Sequence, residues 1–201
     1  MITRHIAFSL IVLATTLTQG CRHPASTKAP VAGPHVSLVT VGKVDPVLST
    51  RVALWIENNL VAVVDKGTMP IKAPYTLETV CAQAIKERDQ TALATVVLVG
   101  GLTKHGQTHG FVFNRIALVD VDMLHPTDAK KKGWEEQFTR RVEKESLAGV
   151  SYAMGMPACV FSLCALKPAE SMEELDAKGR NLCPPCTQKM EAILGQKLPQ
   201  P

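Results

Sequence analysis

The chain has 201 residues, of which 46% are hydrophobic and 20% charged, with a formal net charge of +4. That balance suits one soluble globular domain long enough to bury a core. Aromatics reach only 4% and the one basic run is the lysine triplet at 130–132, so neither the stacking surface nor the basic stripe of a nucleic-acid binder is present.

The first twenty residues read as a signal peptide. Arg4 and His5 make a short polar start, residues 6–17 an apolar core too short to span a bilayer comfortably, and Gly20 precedes Cys21. A small residue before a cysteine resembles a bacterial lipobox, at which Cys21 would become the lipidated start of the mature chain. Plain secretion is the alternative, because Thr18 and Gln19 are not the strongest lipobox residues. The expected location is the bacterial cell envelope, periplasmic or extracellular, held to the membrane through that lipid. Residues 21–35 are rich in proline, alanine and small polar residues and read as a flexible tether.

The folded domain is expected over residues 36–196. A strand is predicted at 36–41, then a helix at 46–59 with apolar residues at Val47, Leu48, Val52, Leu54, Trp55 and Ile56. A short apolar strand at 61–64 ends at Asp65, and the two prolines of DKGTMPIKAP mark a loop. A second helix at 76–88 has Thr76 as its cap and Glu78 in the first turn. Residues 92–99 form a nearly continuous apolar run of the kind found in buried strands. Strands at 111–113 and 116–123 come after a weakly patterned loop. A long helix at 133–154 is stopped by Gly155, as a C-terminal glycine would do. This alternation points to an α/β layer structure.

The 145–186 stretch holds four of the six cysteines, as C-x4-C at Cys159 and Cys164, eighteen residues, then C-x2-C at Cys183 and Cys186. Two such knuckles read as a tetrahedral four-thiolate zinc site, closed to water and therefore structural. Two alternatives stay open: disulfides, as expected in an oxidising compartment, and a redox pair at Cys183-Pro184-Pro185-Cys186. Cys81 lies in a helical run and reads as a small buried apolar side chain.

The helix before the first knuckle can be set against the zinc-protease pattern H-E-x-x-H-x-x-G-x-x-H. With Gly155 on the pattern's glycine, the three ligand positions become Ala148, Tyr152 and Ala158, and the general-base position becomes Gly149. Cys159 comes directly after the third ligand position, with Cys164 and then the C-x2-C pair behind it. This arrangement resembles the archaemetzincin family, and Lys144–Glu145–Ser146–Leu147, the segment 110–114 (GFVFN) and the segment 117–124 (ALVDVDML) resemble its preceding elements. The resemblance spans residues 36–194. It implies a metzincin-like mixed twisted sheet over two helices, with a small cysteine-rich C-terminal subdomain at 155–196 holding one zinc. Two departures stand beside the replaced histidines. Leu166 occupies the place of the family's methionine turn, and the stretch from Cys164 to Cys183 is one residue short.

A hydrolytic zinc needs three lone-pair ligands and an open fourth position. Alanine donates nothing, a phenol is a poor ligand at neutral pH, and glycine cannot take a proton from bound water. The expectation is therefore a pseudopeptidase with a binding role, its ligand a peptide or protein in the remnant cleft. The rival is an active metallopeptidase with relocated ligands, for which His105, His109 and His125 are the candidates. Asp120 and Asp122 would share a face of a regular strand and offer an acid and a base, though the solvent face of that strand is the ordinary place for them.

Overall fold

The computed structural model describes residues 33–103, 109–127 and 132–199. Five strands form one sheet in the order β2-β1-β3-β5-β4. They are β1 (His35–Gly42), β2 (Ala62–Thr68), β3 (Ala94–Gly100), β4 (Gly110–Phe113) and β5 (Ile116–Asp120). The first three and β5 run parallel, and β4 closes one edge antiparallel to β5. The central strand β3 is buried along its whole length, which explains an apolar run without polar alternation.

Its side chains divide by parity. Val96 and Leu98 join the core beneath α1 (Pro46–Asn59) and α3 (Trp134–Ala153), with Val52, Ile56, Val142, Leu147 and Val150. Val97 and Val99 join the opposite core, with Val80 and Ala84 of α2 (Leu77–Glu87). The sheet thus carries the expected two helices on one face and a third helix on the other, a three-layer arrangement.

Local chemistry fixes the helix ends. Asp45 Oδ1 accepts the Val47 amide at 2.8 Å with Pro46 in the first turn. Thr76 and Thr79 exchange side-chain and backbone bonds in a capping box. At the end of α3, the Gly155 amide reaches the Tyr152 carbonyl at 2.9 Å and the Met156 amide the Ser151 carbonyl at 3.0 Å. That pair of bonds requires a left-handed residue, and Gly155 has φ of 94°. The chain leaves the helix there and turns into the C-terminal part, which carries the short α4 (Met172–Ala177) and α5 (Pro184–Leu194).

Two strand predictions are corrected. β2 continues to Thr68, past Asp65, because its pairing with β1 resumes at Thr40 after an irregularity. β5 stops at Asp120, and residues 122–124 form a 3-10 turn. The Asp122 amide is taken by Asp120 Oδ1 at 3.2 Å instead of by the ladder. Asp120 is buried with the rest of β5 and Asp122, past the end of the strand, is exposed, so the two do not form an exposed strand pair.

Candidate functional site

Two clusters of functional side chains are assembled by the C-terminal half of α3 and the chain beyond Gly155. The first is the cysteine set. The sulfurs of Cys159, Cys164, Cys183 and Cys186 all lie within 4.8 Å of one another, and Cys159 Sγ stands 3.7 Å from Cys183 Sγ. Four thiolates at zinc–sulfur distances of about 2.3 Å in a tetrahedron would be about 3.8 Å apart. A bonded pair would stand about 2.05 Å apart, and all four are free cysteines. The residues fit a zinc ion. The backbone prepares the site: the Cys183 amide donates to Cys164 Sγ at 3.4 Å and the Phe161 amide to Cys159 Sγ at 3.4 Å. Burial pushes the Cys164 and Cys186 thiols up, so a metal that takes them as thiolates must displace protons.

The second cluster lines a cleft of about 330 Å³ between α3, the edge strand β4 and the segment after α3. Ala148, Gly149, Tyr152 and Ala158 all border it, so the register drawn from Gly155 brings its four positions to one place. None of them offers a nitrogen or a carboxylate. Ala148 is buried, and Gly149 lies so close to β5 that a Cβ there would sit 2.9 Å from the Ala117 methyl. The Tyr152 hydroxyl donates to the Leu166 carbonyl at 2.7 Å. Burial, and then the charge of Glu145, push this phenol up to about 12, so it stays protonated at neutral pH. Leu166, at the methionine-turn position, is fully buried, and its carbonyl also receives the Cys159 amide at 2.9 Å.

The charged wall of this cleft is His109, Glu145 and Lys178. Glu145 Oε2 lies 3.0 Å from His109 Nδ1 and Oε1 2.8 Å from Lys178 Nζ. The side chains are 11%, 13% and 3% exposed for His109, Glu145 and Lys178. Burial pushes the Glu145 carboxyl up, but the hydrogen bond to His109 and the charge of Lys178 outweigh it, and it rests below its ordinary value. Glu145 stands three residues before Ala148, which on a helix puts both on one face; that spacing is the signal in the sequence that marks it. Nothing in the sequence marks Lys178.

Further charges fasten α3 to the C-terminal part. Arg141 makes a forked pair with Asp176, both bonds 2.7 Å, and donates to the Leu124 carbonyl at 3.1 Å. Lys144 Nζ donates to the Leu175 and Asp176 carbonyls, each at 2.8 Å. Glu143 takes Arg180 at 2.6 Å, and the Arg180 guanidinium lies 4.1 Å over the Trp55 ring.

Of the relocated-ligand candidates, His109 reaches the cleft. His125 does not: it stacks on Phe138 at 3.9 Å in a separate pocket at the N-terminal end of α3. His105 and Cys21 lie outside the described residues, as do the signal-peptide and most of the tether positions. Among the described residues, the four cysteines are the one group of three or more His, Cys, Asp or Glu side chains placed to share a metal.

Solved structures of the same architecture exist. An archaemetzincin from Methanopyrus kandleri matches with a TM-score of 0.65 at 19% identity, over 82% of this chain and 97% of that one. The fold is archaemetzincin-like. A zinc-dependent peptidase from Methanocorpusculum labreanum and an archaemetzincin from Archaeoglobus fulgidus, complexed with malonate, each match with a TM-score of 0.59 at 17% identity, over 77% of this chain and 99% of theirs. No protein-family model and no curated protein matches the chain. The archaemetzincin-like sheet is thus shared with these structures at 17–19% identity.

Proposed function

We propose that this protein is an exported pseudopeptidase: an archaemetzincin-like domain without a hydrolytic zinc, acting by binding a peptide or protein segment in its cleft. One structural zinc is held by Cys159, Cys164, Cys183 and Cys186, and a lipid on Cys21 anchors the chain to the bacterial envelope. The observation that carries the reading is the lining of the cleft. The positions set by Gly155 converge there as Ala148, Gly149, Tyr152 and Ala158, and two methyls, a hydrogen and a committed phenol do not make a zinc site. Relocation to His109 is opposed by Lys178, whose ammonium lies on the same carboxylate and repels a second cation. The role left to the cleft is recognition.

Purified protein incubated with a broad peptide library at neutral pH is expected to give no chelator-sensitive cleavage. Cleavage abolished by a chelator, and by His109→Ala, would return the protein to the enzymes. The envelope anchor is tested by mass spectrometry of the chain from its native host. Acylated Cys21 as the first residue is expected, whereas a start within residues 25–32 means free secretion and a retained Met1 means no export.

A further inference from the structure

Resting on the reading of the cleft as a binding site, we infer that its polar wall is a carboxylate-recognition site: Lys178 and His109, set side by side by Glu145, take a carboxylate of the bound peptide. Lys178 carries the argument. Its side chain is only 3% exposed, and among the described residues its ammonium meets a single partner, Glu145 Oε1 at 2.8 Å. An ammonium has three donors, and donors hidden from water without a partner are costly. Lys144, the other buried lysine of this region, spends two on backbone carbonyls. Lys178 holds donors in reserve on the border of the cleft.

His109 supplies the second contact. A carboxylate accepts only, so Glu145 fixes the proton of His109 on Nδ1, and Nε2 has no partner among the described residues. Contact with a carboxylate therefore takes the imidazole as a donor on both nitrogens, the proton on Nε2 coming from solvent. Charge selects the ligand further. With Glu145 engaged on both oxygens, the wall sums to +1 when His109 is protonated, which balances a carboxylate and not a doubly charged phosphate. Around this wall the cleft is apolar, through Phe111, Val112, Leu118 and Ala169, so the carboxylate would be desolvated and its hydrogen bonds correspondingly strong.

The carboxylate is either a free chain end or an acidic side chain. Three pools of N-acetylated tetrapeptides with randomised side chains separate these: free acids lacking Asp and Glu, the same sequences as C-terminal amides, and amides carrying one Asp or Glu. Binding is monitored by NMR, through the His109 ring and the Tyr152 and Val112 resonances. The expected result is that one carboxylate pool binds about ten-fold or more tightly than the plain amides, shifting His109. Which of the two does so names the source. Lys178→Gln, which keeps a donor and drops the charge, should erase that preference while amide binding persists. If this variant does not fold, the acid-to-amide ratio of the unaltered protein decides alone. Plain amides that bind as well as both carboxylate pools, moving Tyr152 and Val112, overturn the carboxylate site and leave the binding cleft standing. Resonances unmoved by every pool overturn both.

Discussion

Removing one thiol from the cysteine cluster tests whether it holds metal. Cys164 is the deepest of the four, with no exposed surface, and its sulfur receives the Cys183 amide at 3.4 Å. The chain around it is tied on every side: the Ala165 amide to the Asn181 carbonyl at 2.9 Å, the Cys159 amide to the Leu166 carbonyl at 2.9 Å, and the Tyr152 hydroxyl to that same carbonyl. Cys164→Ser keeps the volume and a weak hydrogen-bonding group but removes one thiolate. At constant free zinc, a thousand-fold loss of affinity removes about 4 kcal/mol of stability. That is a fraction of the roughly 10–16 kcal/mol that zinc binding supplies in small modules. For a domain of this size each kcal/mol moves the melting temperature by about 2–4 °C, so a fall of about 8–16 °C is expected. Calorimetry of the zinc-loaded protein, the variant and the chelator-treated protein gives the measurement, with metal content read on the same samples. The chelated protein, which loses the whole contribution of the metal, should melt below the variant, and a mild reductant should change neither. Denatured protein should release five reactive thiols from Cys81 and the cluster, apart from any on Cys21. A melting temperature indifferent to chelator but lowered by reductant would refute the zinc site in favour of disulfides.

Arg141→Met leaves Asp176 without its forked partner, and a loss of about 2–3 kcal/mol in urea denaturation is expected, below the cost for a fully buried pair because Asp176 is one-third exposed. Gly149→Ala brings a methyl to 2.9 Å from that of Ala117; about 1–3 kcal/mol of overpacking should exceed the roughly 1 kcal/mol that alanine gains in a helix. The double variant with Ala117→Gly should recover most of the loss, and additive effects of the two changes would deny the contact. Glu136 rests at about 2, held by Arg51 and Arg140, and Glu145 and Asp176 also lie below their ordinary values. Groups depressed in the folded state stabilise it above their unfolded values. In the chelator-treated protein, where proton release to the metal plays no part, urea midpoints should therefore hold from pH 7 to about 5 and fall below about 4.5, the ordinary glutamate value; a decline already complete at pH 5.5 would mean other groups govern it.

Where the chain's own neighbours decide a structure, the sequence is readable. Asp45-Pro46 starts α1 and Thr76 starts α2 because a cap acts within three residues. Gly155 ends α3 for a reason of backbone geometry alone. The cysteine spacing is legible because two short knuckles leave few ways to converge. Features that depend on distant partners are not. β2 runs to Thr68 only because β1 resumes pairing, and the helix on the second face of the sheet depends on how Val97 and Val99 are covered. The charged wall joins residues 109, 145 and 178, separations of tens of residues across which no local pattern reaches. Asp120 reads as a solvent-facing strand acid, yet it is buried because β5 lies between β3 and β4 and is buried along its whole length.

The tight approach of Gly149 to Ala117 bears on what it would take to build a hydrolytic zinc site on this chain. A variant given histidines at 148, 152 and 158 would still need a carboxylate at 149, and the first atom of that side chain meets the Ala117 methyl on β5. Mutations toward a peptidase are therefore not independent. Space must open at 117 before an acid at 149 can be tolerated, and opening it first yields no activity of its own, only a weaker packing of helix on sheet. Once a residue such as Ala117 has filled that space, selection for hydrolysis has no single rewarded step to take. Gaining that acid would require at least two changes to arrive together, or one to wait, neutral at best, for the other.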